Sequence, residues 1–205
     1  MKLGSTSWLI PGTYLENVEI VADKVDFVEL LVFTWDRETE RILKYEEKGL
    51  LELSKKYGLE YNVHLPTDCV FNVESAFEFF ECSNLNISNY ILHPIDGIDV
   101  FMDKSEKILI ENLKEDILIH KKTVFDIGHH LLGMNVTNDF LRNAKEYHVM
   151  GVVDGIDHKR LDKNTLGVIK RMMKYSKDLE YICFEVFDLE DFLHSLKLWR
   201  DYFDL

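Results

Sequence analysis

An alternation restricts the fold of this chain more than any other feature. Eight short runs rich in aliphatic, β-branched and aromatic residues are separated by charged, amphipathic stretches. The runs are KLGSTSW, VDFVELLVF, LEYNVHLP, NYILHPI, KILIEN, KTVFDIG, EYHVMGVV and EYICFEVF. Between them, YLENVEIVADK, ETERILKYEEKGLLELSKKYG, TNDFLRNAKEY, NTLGVIKRMMKYSKD and LEDFLHSLKLWRDYF repeat apolar residues at three- and four-residue intervals, the period of a helix packed on one side. Gly58 is a natural C-terminal stop for the second of these. Strand, helix and strand in succession make a parallel crossover. Eight such units predict a closed α/β barrel, a compact (β/α)8 TIM barrel, occupying residues 1–205 as a single domain. The third and fourth units look shortest, since NVESAFEFFECSN and DVFMDKSE leave little room for helix. A doubly wound open sheet is the alternative, but the chain has no G-x-G-x-x-G and no G-x-x-x-x-G-K loop.

The polar residues fall in register with that rhythm. In a barrel, chemistry sits at the C-terminal ends of the strands. Reading each end in turn yields Glu29, His64, His93, Glu111, Asp126 with His129, His148 followed by Asp154, Asp157 and His158, and Glu185. A carboxylate inside an apolar strand is unfavourable unless it is paired or bound to a cation. Imidazole and carboxylate groups are ligands for Zn, Mn or Fe(II). Their convergence on one barrel mouth predicts one to three divalent transition metal ions, with His64, His93, Glu111, Asp126, His129, His148, Asp157, His158 and Glu185 as candidate ligands. His120, His130 and His194 read as structural. Glu29 reads equally as a site residue and as a strand-end hydrogen bonder. Ser5, Thr6 and Ser7, at the end of the first strand, are candidate substrate contacts, with turn formation as the plain alternative. Trp35 and Trp8 are candidates to pack against a large substrate, with core packing as the alternative.

The formal net charge of −13 argues against nucleic acid and anionic membranes as partners. A metal-lined pocket would still accept a phosphate, so a small-molecule substrate is expected. The three cysteines, Cys69, Cys82 and Cys183, are scattered and odd in number, as for reduced thiols. The opening MKLGSTSWLIPG does not read as a signal peptide, and no run approaches the ~20 apolar residues of a membrane span. A cytoplasmic location is expected. Oligomeric state is left open.

The pattern resembles the xylose isomerase-like barrel superfamily, which includes endonuclease IV-type AP endonucleases (AP endonuclease family 2) and sugar isomerases and epimerases. The likeness runs from LGSTSW to EVFDLEDFLHSLKLW. It implies one metal on His64, His93 and Glu111. It implies a second on Glu111, Asp126, His148 and Glu185, with Glu111 bridging, and a third on His129, Asp157 and His158. The phrases VELLVF, YNVHLPTD, YILHPIDG, ILIENL, FDIGHHLL, GVVDGIDHKRL and FEVFDLEDFLHSL are most similar to the cobamide-remodelling phosphodiesterases (CbiR type). That resemblance implies hydrolysis of the phosphodiester in the nucleotide loop of a cobamide. Glu111 would hold two metals at the catalytic centre, with Glu185 or Asp126 as proton acceptor. There are departures. Asp157 and His158 are adjacent where the endonuclease pattern has a residue between them, which puts the third metal in doubt. Met150 stands where relatives often carry a second polar residue. The loops are too short for the DNA-gripping insertions of the endonucleases. The alternative is a single-metal sugar or sugar-phosphate isomerase or epimerase, which needs only a set like Glu111, Asp126, His148 and Glu185. A non-catalytic binding barrel gives no reason for so many ligand-type residues.

Overall fold

A computed structural model describes residues 1–114 and 117–204 of the chain. Eight parallel strands close into a barrel: β1 (Lys2–Thr6), β2 (Phe27–Leu31), β3 (Glu60–His64), β4 (Ile87–Leu92), β5 (Ile108–Glu111), β6 (Thr123–Asp126), β7 (Ala144–Val149) and β10 (Tyr181–Phe184). Each strand pairs with its neighbour in sequence, except that β10 sits between β7 and β1 and closes the ring. β8 (Gly151–Val153) and β9 (Ile156–Lys159) form a separate antiparallel hairpin.

The helices are α1 (Tyr14–Val21), α2 (Arg37–Tyr57), α3 (Val70–Cys82), α4 (Ile127–Leu131), α5 (Asn138–Arg142), α6 (Lys163–Met172) and α7 (Leu189–Phe203). Local chemistry sets their ends. The Asp36 carboxylate accepts from the backbone N–H groups of Glu38 and Thr39 to start α2. Gly58, at φ 69°, supplies the left-handed residue that stops it. Leu43 and Leu50 on α2, and Phe192, Leu196 and Trp199 on α7, bury one stripe of each helix in the core around the barrel.

The barrel interior is unusual. Its apolar filling includes two small groups, Phe27 with Tyr181 and Cys183, and Ile91 with Leu109 and Val124. Gly4 makes room for the first of these, because a Cβ there would lie 2.3 Å from the Phe27 ring. Buried polar residues account for much of the rest, among them Glu29, Asn62, His64, Glu111, Asp126, Glu146, His148 and Glu185.

Three expectations need correction. The third unit does carry a helix, α3, of 13 residues. The NVESAFEFFECSN stretch looks poor only because its aromatic residues blur the helical period. The fourth crossover is short as expected, with one 3-10 turn at Ile98–Val100. The run EYHVMGVV is not one strand: it breaks after β7, and Gly151–Val153 turns into the hairpin. The reason lies in VVDGID. Asp154 and Gly155 adopt φ of 53° and 78°, the left-handed pair that a tight hairpin turn requires. Likewise TNDFLRNAKEY yields only the five residues of α5, since its second half is β7. Among the described residues, no helix is long and apolar enough to cross a membrane. None of the three cysteines is in a disulfide.

Candidate metal centre

The site is built at the C-terminal ends of the strands. Register brings its members together: Leu31 pairs with His64 across β2 and β3, and Asp126 pairs with His148 across β6 and β7. Along each strand the inward residues are two apart, so Glu146 lies one layer beneath His148 on β7. Glu29 sits in the middle of β2, not at its end.

Glu111 is the centre of the arrangement. Its Oε2 lies 3.2 Å from Nε2 of His64 and 3.2 Å from Nε2 of His93. Its Oε1 lies 3.3 Å from Nδ1 of His148, and that nitrogen is also 3.3 Å from Oε2 of Glu185. Two groups of metal-ligand type share Glu111, His64–His93–Glu111 and Glu111–Asp126–His148–Glu185, and a third, Glu29–Glu146–His148, lies one layer beneath. Within each, one ligand atom per residue lies within 4.8 Å of the others. Ligands bound at ~2.0–2.2 Å to one ion stand about 3–3.5 Å apart, the spacing of the Glu111 contacts with His64, His93 and His148.

The hydrogen bonds show what must fill the gaps. Nδ1 of His64 is 3.1 Å from the carbonyl oxygen of Leu65, which can only accept. Nδ1 therefore carries the proton, and a neutral ring turns a lone pair on Nε2 toward the Glu111 carboxylate. Two lone pairs at that distance repel unless a proton or cation lies between them. His148 repeats the pattern: its Nε2 is 3.2 Å from Oε2 of Glu29, so Nε2–H donates there and Nδ1 faces two carboxylates. Oδ2 of Asp126, Nδ1 of His148 and Oε2 of Glu185 are buried without any hydrogen-bond partner. These orphaned atoms belong to one group, and they fit a divalent cation.

The electrostatics agree. Burial raises the Glu111 carboxyl, but His148, His64 and His93 outweigh it and hold it well below the usual carboxylate range. Burial lowers the imidazoles of His64 and His148, but the surrounding carboxylates outweigh it and raise both, His148 strongly. Asp126 goes the other way: burial, then the charges of Glu185 and Glu111, push it well above the ordinary value. The cluster demands positive charge.

The sequence motif DIGHH now has a physical account. Oδ1 of Asp126 accepts from the backbone N–H of His129 at 2.6 Å and caps α4, while Oδ2 stays free for the site. Gly128 allows this, because a Cβ there would lie 2.6 Å from Sδ of Met150 and 3.2 Å from Oδ1 of Asp126. Nδ1 of His129 lies 2.7 Å from the carbonyl oxygen of Asn112, to which its N–H donates.

Other expected site residues are placed differently. Among the described residues, His129, Asp157 and His158 do not gather into a metal-ligand group. Lys114 Nζ lies 2.7 Å from Oδ2 of Asp157 and supplies a positive charge there. Nδ1 of His158 bonds the backbone oxygen of Glu185 at 3.0 Å, and its ring stacks on Phe187 at 4.3 Å. The hydroxyls of Ser5, Thr6 and Ser7 are buried and engaged with backbone. Ser5 donates to the oxygen of Thr6 at 3.2 Å, Thr6 to that of Val186 at 3.5 Å, and Ser7 accepts from the N–H of Leu31 at 3.0 Å. Ser7 ties the end of the first strand to the second, and Thr6 ties it to the segment after the last. Trp35 packs on Phe79 of α3, 5.2 Å between ring centres, in a groove between α2 and α3 that contains no ligand-type histidine. His120 bonds the oxygen of Lys122, His130 bonds that of Met134, and His194 is exposed on α7.

Sequence reading passed over Glu146 and Asn62. Both are fully buried, and Nδ2 of Asn62 donates to Oε2 of Glu146 at 2.8 Å. The available signal was the period of two, E-x-H in EYHV and N-x-H in YNVH, which puts each beneath a site histidine. Burial and the neighbouring Glu29 push the Glu146 carboxyl well above its usual value.

No family model and no curated protein sequence matches the chain. Solved structures do. The crystal structure of SacUVDE is similar over 100% of both chains, with 12% identity and a TM-score of 0.60. The crystal structure of AsfvAP:AG is similar over 99% of this chain and 98% of that one, with 13% identity and a TM-score of 0.58. The fold shared with them is the closed (β/α)8 TIM barrel. At such low identity the likeness lies in the architecture, and function rests on the residues of the site.

Proposed function

We propose that this barrel is a metal-dependent phosphodiesterase acting on a small molecule, the nucleotide-loop phosphodiester of a cobamide being the substrate that its sequence resemblance favours. One observation carries the reading: the two oxygens of Glu111 face different ligand sets, His64 with His93 on one side and His148 on the other. A carboxylate shared in this way is the device by which a protein holds two ions close together.

His64, His93 and Glu111 would hold one ion, and Asp126, His148 and Glu185 with Glu111 a second. When bound, such ions supply Lewis acidity toward phosphoryl oxygens and activation of water near neutral pH. The chain's own residues do the rest. Glu29 holds the His148 ring through Nε2 and leaves Nδ1 for the site. Asn112 orients Asp126 by accepting from its backbone N–H at 2.9 Å. Glu185 or Asp126, the carboxylates beside Glu111 in the second group, would take up the proton released as water attacks phosphorus. The net charge of −13 disfavours a long nucleic acid and leaves a small phosphodiester as the fitting substrate.

A second reading is a single-metal sugar or sugar-phosphate isomerase. It is favoured by the Lys114–Asp157 ion pair, which puts a protein cation on one of the residues a third metal would use. The group Glu111–Asp126–His148–Glu185 is complete without that residue. The test is elemental mass spectrometry of protein purified without chelator, followed by assays on cobalamin and on bis(p-nitrophenyl) phosphate. Two ions per chain with phosphodiester cleavage support the first reading. One ion, no cleavage and interconversion of a ketose–aldose pair support the second.

A further inference from the structure

Trp8 is left over by the chemistry above, and its setting is specific. It follows β1 at the barrel mouth, and its side chain is 52% exposed. Its neighbours on either side are pinned. The N–H of Ser7 donates to the oxygen of Glu29 at 2.9 Å. The side-chain oxygen of the buried Asn17 accepts from the N–H groups of Leu9 at 2.7 Å and Ile10 at 3.0 Å. Leu9 itself is buried. A rigid backbone thus presents a large aromatic ring to solvent, where burial would be favoured for a side chain of this kind.

The ring belongs to an aromatic rim that leads into the metal centre. Trp8 meets Phe33 at 5.6 Å and Phe187 at 5.7 Å, both nearly perpendicular, so neither ring stacks flat on the indole. Phe33 in turn meets the ring of His64 at 4.8 Å. Phe187 stacks on His158, which bonds the backbone of Glu185. On both sides one aromatic residue separates Trp8 from a residue of the site or its immediate support.

We infer that Trp8 is a stacking platform for a planar nitrogen heterocycle carried by the substrate, held beside the metal centre; the inference rests on the phosphodiesterase reading for the phosphate that the same substrate would place among the histidines. An indole face recognises such a ring by stacking, and pinning the backbone removes the entropy of ordering it. The substrate class is therefore a phosphate ester bearing a purine- or benzimidazole-like base, as opposed to a plain sugar phosphate.

Zinc-loaded protein titrated by calorimetry with adenosine 5′-monophosphate and with ribose 5-phosphate tests this, because the two probes differ only in the base. The wild type should bind the nucleotide on the order of tenfold or more tighter, the increment of one base stacked on one aromatic side chain. Trp8→Ala should bring the nucleotide down to the affinity of ribose 5-phosphate while leaving the latter unchanged, and Trp8→Phe should fall between. Equal affinity in the wild type, a preference that survives Trp8→Ala, or equal loss of both probes would each overturn the inference. Cleavage of bis(p-nitrophenyl) phosphate is measured beside it. Cleavage without a base preference sinks the stacking role alone, whereas a Trp8-dependent preference without cleavage sinks the phosphodiesterase reading alone.

Discussion

Oε1 of Glu111 and Nδ1 of His148 face each other at 3.3 Å, and Nδ1 is buried with no hydrogen-bond partner. His148 donates its other proton to Glu29, so in a neutral ring the contact sets one lone pair against another. Glu111→Gln tests what sits there. The amide keeps the shape but loses one ligand oxygen. Bound metal should fall by at least one ion per chain by elemental analysis. Phosphodiester cleavage should drop at least about a hundredfold, the scale of the several kcal/mol that such ions contribute. Far-UV circular dichroism should not change. Full activity in Glu111→Gln would rule out the bridging role.

Glu29→Gln probes the layer beneath. It removes the carboxylate that fixes the His148 tautomer, and partners of that kind usually change metal affinity by about 10- to 100-fold. Competition with a chromogenic chelator should show zinc binding weakened by that amount. Glu146→Gln is the contrast. Burial and Glu29 already hold that carboxyl toward its neutral form, so the amide should leave zinc affinity within about threefold of wild type, far below the second-shell effect expected at Glu29. Equal effects at the two positions would mean that Glu29 acts only through bulk charge.

Removal of metal should destabilise the fold. Without cations, three histidines face several buried carboxylates that cannot all be satisfied. Dialysis against a chelator should lower Tm, and zinc or manganese added at about 100 times its Kd should restore about 2.7 kcal/mol. A melting curve that chelator and metal both leave unmoved would speak against any resident ion.

Glu60 supplies a pH test at the other end of the barrel. Its carboxylate accepts from Lys2 Nζ at 2.5 Å, from Ser88 at 2.7 Å and from Tyr181 at 3.2 Å. Burial raises the carboxyl, but these partners outweigh it and leave the folded value below the ordinary one. The stabilisation is therefore complete above the unfolded value of about 4.3 and is lost as pH falls through the lower folded value. Glu60→Gln should cost about 1 kcal/mol in urea unfolding at pH 7. The gap between the two proteins should narrow below about pH 4. A gap that widens in acid would contradict the assignment.

The barrel was legible because its signals are local. Alternating apolar runs and helical stripes reflect what each segment must bury, and seven of the eight expected strands lie where their runs fall. The exception, EYHVMGVV, breaks at the Asp154–Gly155 turn, whose dipeptide is itself a hairpin signal. The ligand-type residues at His64, His93, Glu111, Asp126, His148 and Glu185 were readable for the same reason, since strand ends in a parallel barrel share one rim.

Spacing along the chain does not say which of those residues meet; the family resemblance grouped His64 and His93 with Glu111, and Asp126, His148 and Glu185 with Glu111, as the structure does, but it also grouped residues that stay apart. His129, Asp157 and His158 have the right chemistry, yet the hairpin turns Asp157 toward Lys114 and His158 onto Phe187. Ser5 and Ser7 look like loop residues in one dimension, and in three they are buried and bonded to backbone. Glu146 looks like an ordinary strand residue and lies under the site. Periodicity depends on neighbours along the chain, so the sequence alone determined the barrel and its polar rim. The meeting of Glu111 with His64, His93 and His148, implied beforehand only by the resemblance, depends on strand register, barrel closure and loop path, which arise only when distant segments pack, so its distances and the residues left out of it were decided by the tertiary structure alone.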